Sequence, residues 1–146
     1  MGYRATTYSA EERYATLAVA DRGRLVGLAE KILGSVQDVE LLSVPGPATM
    51  LVELTESVRR QPFHLCEVVV SEASVSLVGH RGDGLVLGAD TERAVAAAVC
   101  DAAAEAGIHR AAIEHLVAET VAGLDRDRDR RAAELAATRV DLEVLG

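Results

Sequence analysis

The sequence has almost no aromatic side chains: one Phe, three Tyr and no Trp in 146 residues. Aromatics supply the largest single burials in most cores, so this core must be built from small aliphatic groups. They are present in number, as 25 Ala, 19 Val and 17 Leu. A core of that kind buries little area per residue, which raises the question of whether the domain is self-sufficient or leans on partners. Lysine is also nearly absent, with Lys31 alone beside 14 Arg. Arginine forms bidentate pairs with carboxylates and phosphates and so suits interfaces, although codon bias in a GC-rich genome accounts for the excess equally well. The two cysteines, Cys66 and Cys100, form no C-x-x-C. That excludes a zinc-ribbon or thioredoxin-like motif, and two buried free thiols are expected. No apolar run approaches the ~20 residues of a membrane span. No signal peptide opens the sequence, and the Met-Gly-x-x-x-Thr start matches a myristoylation motif only superficially, so the cytoplasm is the expected compartment.

Hydrophobic residues make up 49% and charged residues 26%, which excludes a wholly disordered chain. The length suits one domain spanning 1–146, with residues 1–8 expected as a loose arm, and it requires no disulfide or metal to fold. The net charge of −8 repels nucleic acid and anionic membrane surfaces.

Ser9 and Glu12 have capping-box spacing, and a helix to about Ala20 should follow, with Tyr14, Leu17 and Ala18 on one face. Asp21 opens a second helix, in which Leu25, Leu28, Ala29, Ile32 and Leu33 form a core-facing stripe that Gly34 ends. The period then changes. Strands are expected at Val39–Val44, Met50–Leu54, Phe63–Ser71, Ser74–Gly79 and Leu85–Leu87, with turns at Pro45–Pro47, Glu72-Ala73 and Gly82–Gly84. Asp90 caps an alanine-rich helix stopped by Gly107, small on nearly every side. A last helical region from Ile108 should break at Gly123-Leu124, resume at Asp125 and run to about Thr138. The apolar Val140–Leu145 would then pair as a strand or dock on a partner. Strands and helices are segregated, so the expected class is α+β: N-terminal helices, an antiparallel meander of about five strands, then C-terminal helices.

The stretch Gly79-His80-Arg81-Gly82-Asp83-Gly84 is glycine-rich but opens no helix, so it lacks the context of a phosphate cradle and reads as a hairpin requiring positive φ. His64, His80, His109 and His115 contain no i, i+4 pair, and no metal site is expected. His64 beside Cys66 has the look of a nucleophile pair, with strand packing as the plainer account. Glu67 and Glu72 flank an apolar run and are candidates for acid–base work only if the fold brings them together. The catalytic candidates are therefore Glu67, Glu72 and His64, and nothing assembles a complete active site. The run Asp125–Arg131 alternates in sign, as a solvated helix face does. Arg139, Asp141 and Leu142 sit where a charged pair meets the apolar tail and are interface candidates.

The segment Phe63-His64-Leu65-Cys66-Glu67-Val68-Val69-Val70-Ser71-Glu72-Ala73-Ser74-Val75 resembles the central signature of the PhnG family of the bacterial carbon–phosphorus lyase system. The resemblance continues through Gly79–Gly84, Leu87-Gly88-Ala89-Asp90-Thr91-Glu92-Arg93-Ala94 and the alanine-rich helix, and resumes at Ala136-Ala137-Thr138-Arg139-Val140-Asp141-Leu142. It covers about Glu11 to Leu145. Cys66 stands where members often have Gly, Thr91 where they have Pro, and Leu142 where an aromatic is common. The resemblance implies an accessory or scaffold subunit of the core complex in phosphonate catabolism. Its partners would be PhnI, PhnH and PhnJ-type subunits and a PhnL-type ATP-binding protein. The complex displaces adenine from ATP with a phosphonate to give a ribose 1-phosphonate 5-triphosphate, so ATP is a co-substrate and this chain carries no cofactor of its own. The alternative is a stand-alone domain that binds a phosphonate or nucleotide.

Overall fold

The computed structural model describes residues 7–145, with the side chains at positions 64 and 140–145 outside the described set. The order is α1 (Ala10–Leu17), α2 (Arg22–Ser35), β1 (Val39–Leu41), β2 (Gly46–Thr55), β3 (Pro62–Leu77), β4 (His80–Leu87), α3 (Thr91–Ala106) and α4 (Arg110–Leu145). The expected α+β arrangement forms, with helices before and after an antiparallel sheet. Most of the arm expected over residues 1–8 lies outside the described residues, and Tyr8 packs against the core.

Local chemistry sets the helix ends. Ser9 and Glu12 form the reciprocal capping box of α1, Asp21 accepts from the Arg24 amide and Asp90 from the Arg93 amide. Gly107 closes α3 in the left-handed conformation at φ 74°. Gly34 does not end α2, which runs on to Ser35 and leaves through extended Val36.

The sheet is organised around β3. Its Glu72–Ser71 end and beyond pairs with β2 from Gly46↔Glu72 to Thr55↔Pro62, its far end with β1, and its other edge with β4 from Val70↔Leu87 to Leu77↔His80. The turn expected at Glu72-Ala73 does not exist, because Glu72 is paired on both sides and Ala73 with Gly84 of β4, and the two expected strands run on as one. The turn expected at Gly82–Gly84 lies instead at Val78-Gly79, both at positive φ (49° and 78°), the geometry of a tight two-residue hairpin.

The odd-numbered residues of the inner half of β3, Ala73, Val75 and Leu77, join Val86 of β4 in a core cluster with α3. The helix is buried on nearly every side: the sheet covers one face, and α1, α2 and α4 contact the rest. Alanine makes this possible. At Gly82 an added Cβ would come closer than 3.0 Å to the backbone of Ala98 and Ala102, and at Gly84 to that of Ala94 and Ala98. The glycine motif thus serves a close strand–helix approach rather than a turn. Larger groups complete the core. Leu17, Leu25, Ile32, Leu77 and Ile113 are fully buried, each stabilising by roughly 1.5–3 kcal/mol.

Two parts extend beyond this core. The outer half of β3 and its partner β2 form a two-stranded arm that has no strand or helix on either side among the described residues. At ~3.3 Å per residue, the eight residues of β3 beyond its last β4 pair carry the arm about 26 Å outward. The second part is α4. It packs through Ile113, Leu116 and Val117, and its described side chains from Leu124 to Arg139 are exposed. The break expected at Gly123 is absent, since glycine inside a helix costs about 1 kcal/mol without ending it. The tail Val140–Leu145, expected to pair as a strand or dock on a partner, continues the helix, which removes the strand. Among the described residues no helix is long and apolar enough to cross a membrane.

Candidate functional site

An open cleft of about 550 Å³ lies where α1 meets the edge of β4, lined by Tyr14, Glu72, Ser74, Arg81, Asp83 and Asp101 among others. Its wall begins with a buried ion-pair network. Arg13, 5% exposed, is drawn into the interior because two α3 carboxylates await it. Its Nε donates to Asp101 Oδ1 at 2.8 Å and its Nη2 to Glu105 Oε1. Burial works against the charged guanidinium, and Glu105 and Asp101 outweigh it, so the Arg13 pKa is raised. The other oxygen of Asp101 accepts the backbone N–H of Asp83 at 3.0 Å, tying β4 to α3 just where Gly82 and Gly84 let them approach.

Asp83 is then held from the sheet. Ser74 Oγ donates to its Oδ1 at 2.6 Å, and Arg81 donates from Nη2 at 3.0 Å and from Nε at 3.2 Å. The Arg81 guanidinium holds the Asp83 carboxyl below its ordinary value against the opposing effect of partial burial, with help from Ser74. Tyr14 moves the other way: burial raises its pKa, and the negative field of Asp83, Glu72 and Asp101 adds to the rise. Cys100, on the buried side of α3, is pushed up to about 12 by burial and then by Asp101. A general acid or base works best with a pKa near the operating pH. Tyr14, Asp83 and Cys100 all move away from neutrality, toward a phenol and a thiol that keep their protons and a carboxylate that stays ionised. The cleft can donate hydrogen bonds from Tyr14 and Arg81 and offers three carboxylates, which disfavours an anionic ligand.

The candidates read from the sequence are dispersed. Glu72 lines the cleft and is exposed. Glu67 is five residues away on the same regular stretch of β3, opposite Leu51 on the arm, so alternation places the two carboxylates on opposite faces. His64 pairs with Glu53 and Cys66 with Val52, with a register shift between them that breaks the alternation on which a shared face rests; the His64 side chain lies outside the described residues. Cys100 is buried as expected, whereas Cys66 is exposed on the arm. Arg139 is an exposed residue of α4, and the side chains of Asp141 and Leu142 lie outside the described residues. No group of three or more His, Cys, Asp or Glu able to hold a metal occurs among the described residues. Sequence reasoning missed Arg13, Asp101 and Tyr14 as a unit. The one available signal was an arginine three residues from Thr16 and four from Leu17 on the buried face of α1.

Residues 10–146 match the family described as phosphonate metabolism protein PhnG. A relative from Rhizobium meliloti (strain 1021), named alpha-D-ribose 1-methylphosphonate 5-triphosphate synthase subunit PhnG, is 43% identical over 105 residues, which is 70% of this chain and 67% of the relative. The matched span takes in every element from α1 to α4, and on both findings the chain belongs to the PhnG family.

Proposed function

We propose that this chain is an accessory subunit of a cytoplasmic ribose 1-methylphosphonate 5-triphosphate synthase, supporting displacement of adenine from ATP by a phosphonate. It would work with PhnI, PhnH and PhnJ-type subunits and a PhnL-type ATP-binding protein, with ATP as co-substrate of the complex. The relative's name supports the reading. The observation that carries it is the surplus of exposed apolar surface outside the core: Leu41, Leu42, Val44, Met50, Leu51, Leu54, Val58, Phe63, Leu65 and Val69 are all exposed. A monomer rarely leaves so much apolar surface in water, and such patches mark protein interfaces. Co-expression with the PhnI, PhnH and PhnJ-type subunits tests it. The chain should co-purify with them and should restore triphosphate synthase activity to a complex that lacks it. Separate elution of every subunit would end the proposal. Calorimetry of the isolated chain with ATP and methylphosphonate addresses the alternative of a stand-alone binding domain, which requires measurable affinity without partners.

A further inference from the structure

The β2–β3 arm is the least self-sufficient part of the molecule. A two-stranded hairpin is marginal in water unless something packs on it. Its register sorts its side chains into two faces. Ala48, Met50, Val52 and Leu54 of β2 stand opposite Val70, Val68, Cys66 and Phe63 of β3, and this face carries no charge and no polar group beyond the thiol. The other face sets Thr49 against Val69, Leu51 against Glu67 and Glu53 against His64, a mixed surface with two exposed aliphatic groups among two carboxylates. Val44, at 96%, and Val58, at 85%, mark the base and the tip.

The area decides what kind of partner this surface takes. The ten exposed apolar residues of the arm and its base leave roughly 1,000 Å² uncovered, on the scale of the ~800 Å² that each partner contributes to a standard interface. About a third of that area lies at the base, at Leu41, Leu42 and Val44, and the rest is distributed over both faces and the tip of the arm. A flat partner covers one face. A second copy added along the free edge of β2 covers neither. Burying both faces requires a groove that takes the arm between two walls. The Asp125–Arg131 stretch of α4 makes no such demand, because its alternating charges keep it solvated.

Building on the subunit reading above, we infer that the β2–β3 arm inserts between two apolar walls of a larger partner subunit, with a Lys or Arg of that partner meeting Glu67. Charge complementarity supports the partner's cation: Glu67 lies on the mixed face, where the sequence places neither Lys nor Arg.

The experiment uses the co-expressed complex with PhnI, PhnH and PhnJ-type subunits. Leu51→Asp loads the mixed face and Phe63→Asp the apolar face. Each should weaken assembly at least about tenfold, because truncating or charging a buried anchor is what dominates an interface. Leu135→Asp on α4 serves as the control and should assemble normally. In hydrogen exchange, the amides of 46–55 and 62–69 should be labile in the free chain and protected in the complex. Thermal unfolding of isolated Phe63→Asp should match the parent, since that side chain is exposed, and Leu51→Ser, which sets no second carboxylate opposite Glu67, should match the parent and repeat the assembly loss of Leu51→Asp. Normal assembly of both arm variants, with the parent assembling, overturns the insertion while leaving the subunit reading intact. An effect from one face alone overturns the two-walled groove. Self-association of the isolated parent that Leu51→Asp abolishes assigns the arm to a second copy and overturns the inference. Failure of the parent to assemble overturns the subunit reading and the inference with it.

Discussion

Replacing Gly82 or Gly84 by Ala adds one methyl group to the sheet, directed at the backbone of α3 rather than at a flexible side chain. At Gly82 the nearest atoms are the Ala102 amide nitrogen and the Ala98 carbonyl oxygen, and at Gly84 the Ala94 oxygen and the Ala98 nitrogen, all closer than 3.0 Å to the new carbon. Unstrained contact between such atoms needs about 3.5 Å, so the helix must retreat by roughly an ångström along a face packed with Ala94, Ala97, Ala98 and Ala102. Overpacking of this type costs typically about 1–3 kcal/mol. A backbone obstacle places these sites at or above the upper end, near 3 kcal/mol. The gain of Ala over Gly in a strand returns only about 0.5–1 kcal/mol. For a domain of this size ~3 kcal/mol lowers Tm by about 6–12 °C, a large part of a stability of ~5–15 kcal/mol. The assay is thermal and urea unfolding of the isolated chain. Gly46→Ala and Gly34→Ala are the controls, since nothing lies within 4 Å of either new carbon. Trimming Ala98 or Ala102 to Gly should not rescue the double variants, because the obstacle is main chain. If Gly82→Ala and Gly84→Ala melt within about 1 °C of the parent, β4 and α3 do not approach as described.

Arg13→Leu should cost about 3–5 kcal/mol, because it strands Asp101 in the interior without its cation; urea unfolding measures it, and a loss below 1 kcal/mol would show the pair to be solvated. Acid should destabilise the fold. Asp83 and Glu105 have depressed pKa values when folded, so their contribution is complete above the unfolded values near about 4 and is lost as pH falls through the folded ones. The urea midpoint should therefore hold from pH 7 to 5 and drop below pH 4, and a rise on acidification refutes the assignment. In the native chain one thiol of two should react with an aromatic disulfide reagent at pH 8: Cys66 is exposed, and Cys100 is buried with its thiol pushed up to about 12. Rapid reaction of both would place Cys100 outside the core.

Periodicity and caps were the legible part of the fold. Ser9, Asp21, Asp90 and Gly107 act locally, through hydrogen bonds to amides three residues away or through a left-handed φ, so a short window of sequence contains the whole cause. The errors came where tertiary contacts decide. Glu72-Ala73 has turn-compatible composition, but β4 pairs with both residues and β2 with Glu72, and they hold it extended. Gly82 and Gly84 looked like turn residues because nothing in a linear sequence announces a helix pressed against a strand. The alanine surplus of α3 is the other half of the same contact and becomes meaningful only with its partner. The cleft was hardest to read. Arg13 and Asp101 are 88 positions apart, and no local pattern links a polar residue on α1 to one on α3. Glu72 was singled out by its flanking position and does line the cleft, whereas Glu67 is directed elsewhere by the alternation of the strand.

The pairing of arginines in and around the core explains why an acidic chain would serve a triphosphate-handling complex from the side. Arg13 is tied to Asp101 and Glu105, Arg22 to Asp90 and Glu92, Arg24 to Glu119, Arg81 to Asp83 and Arg110 to Glu114. Turning one of them toward a phosphate first uncovers the carboxylate it neutralises. At an effective dielectric of ~20, two like charges 4 Å apart repel by about 4 kcal/mol, so a polyanion approaching any of these arginines would meet its newly exposed carboxylate at the moment of capture. The buried pair is the worst donor of the set, since Asp101 would be left charged in the interior. The cleft's carboxylates suit a cationic side chain of a neighbouring subunit, which would find Asp83 already oriented by Ser74 and Arg81 and Glu72 exposed in the same cleft. On the proposed function, the groups that hold ATP and phosphonate would come largely from the partners, and the contribution of this chain would be to position them.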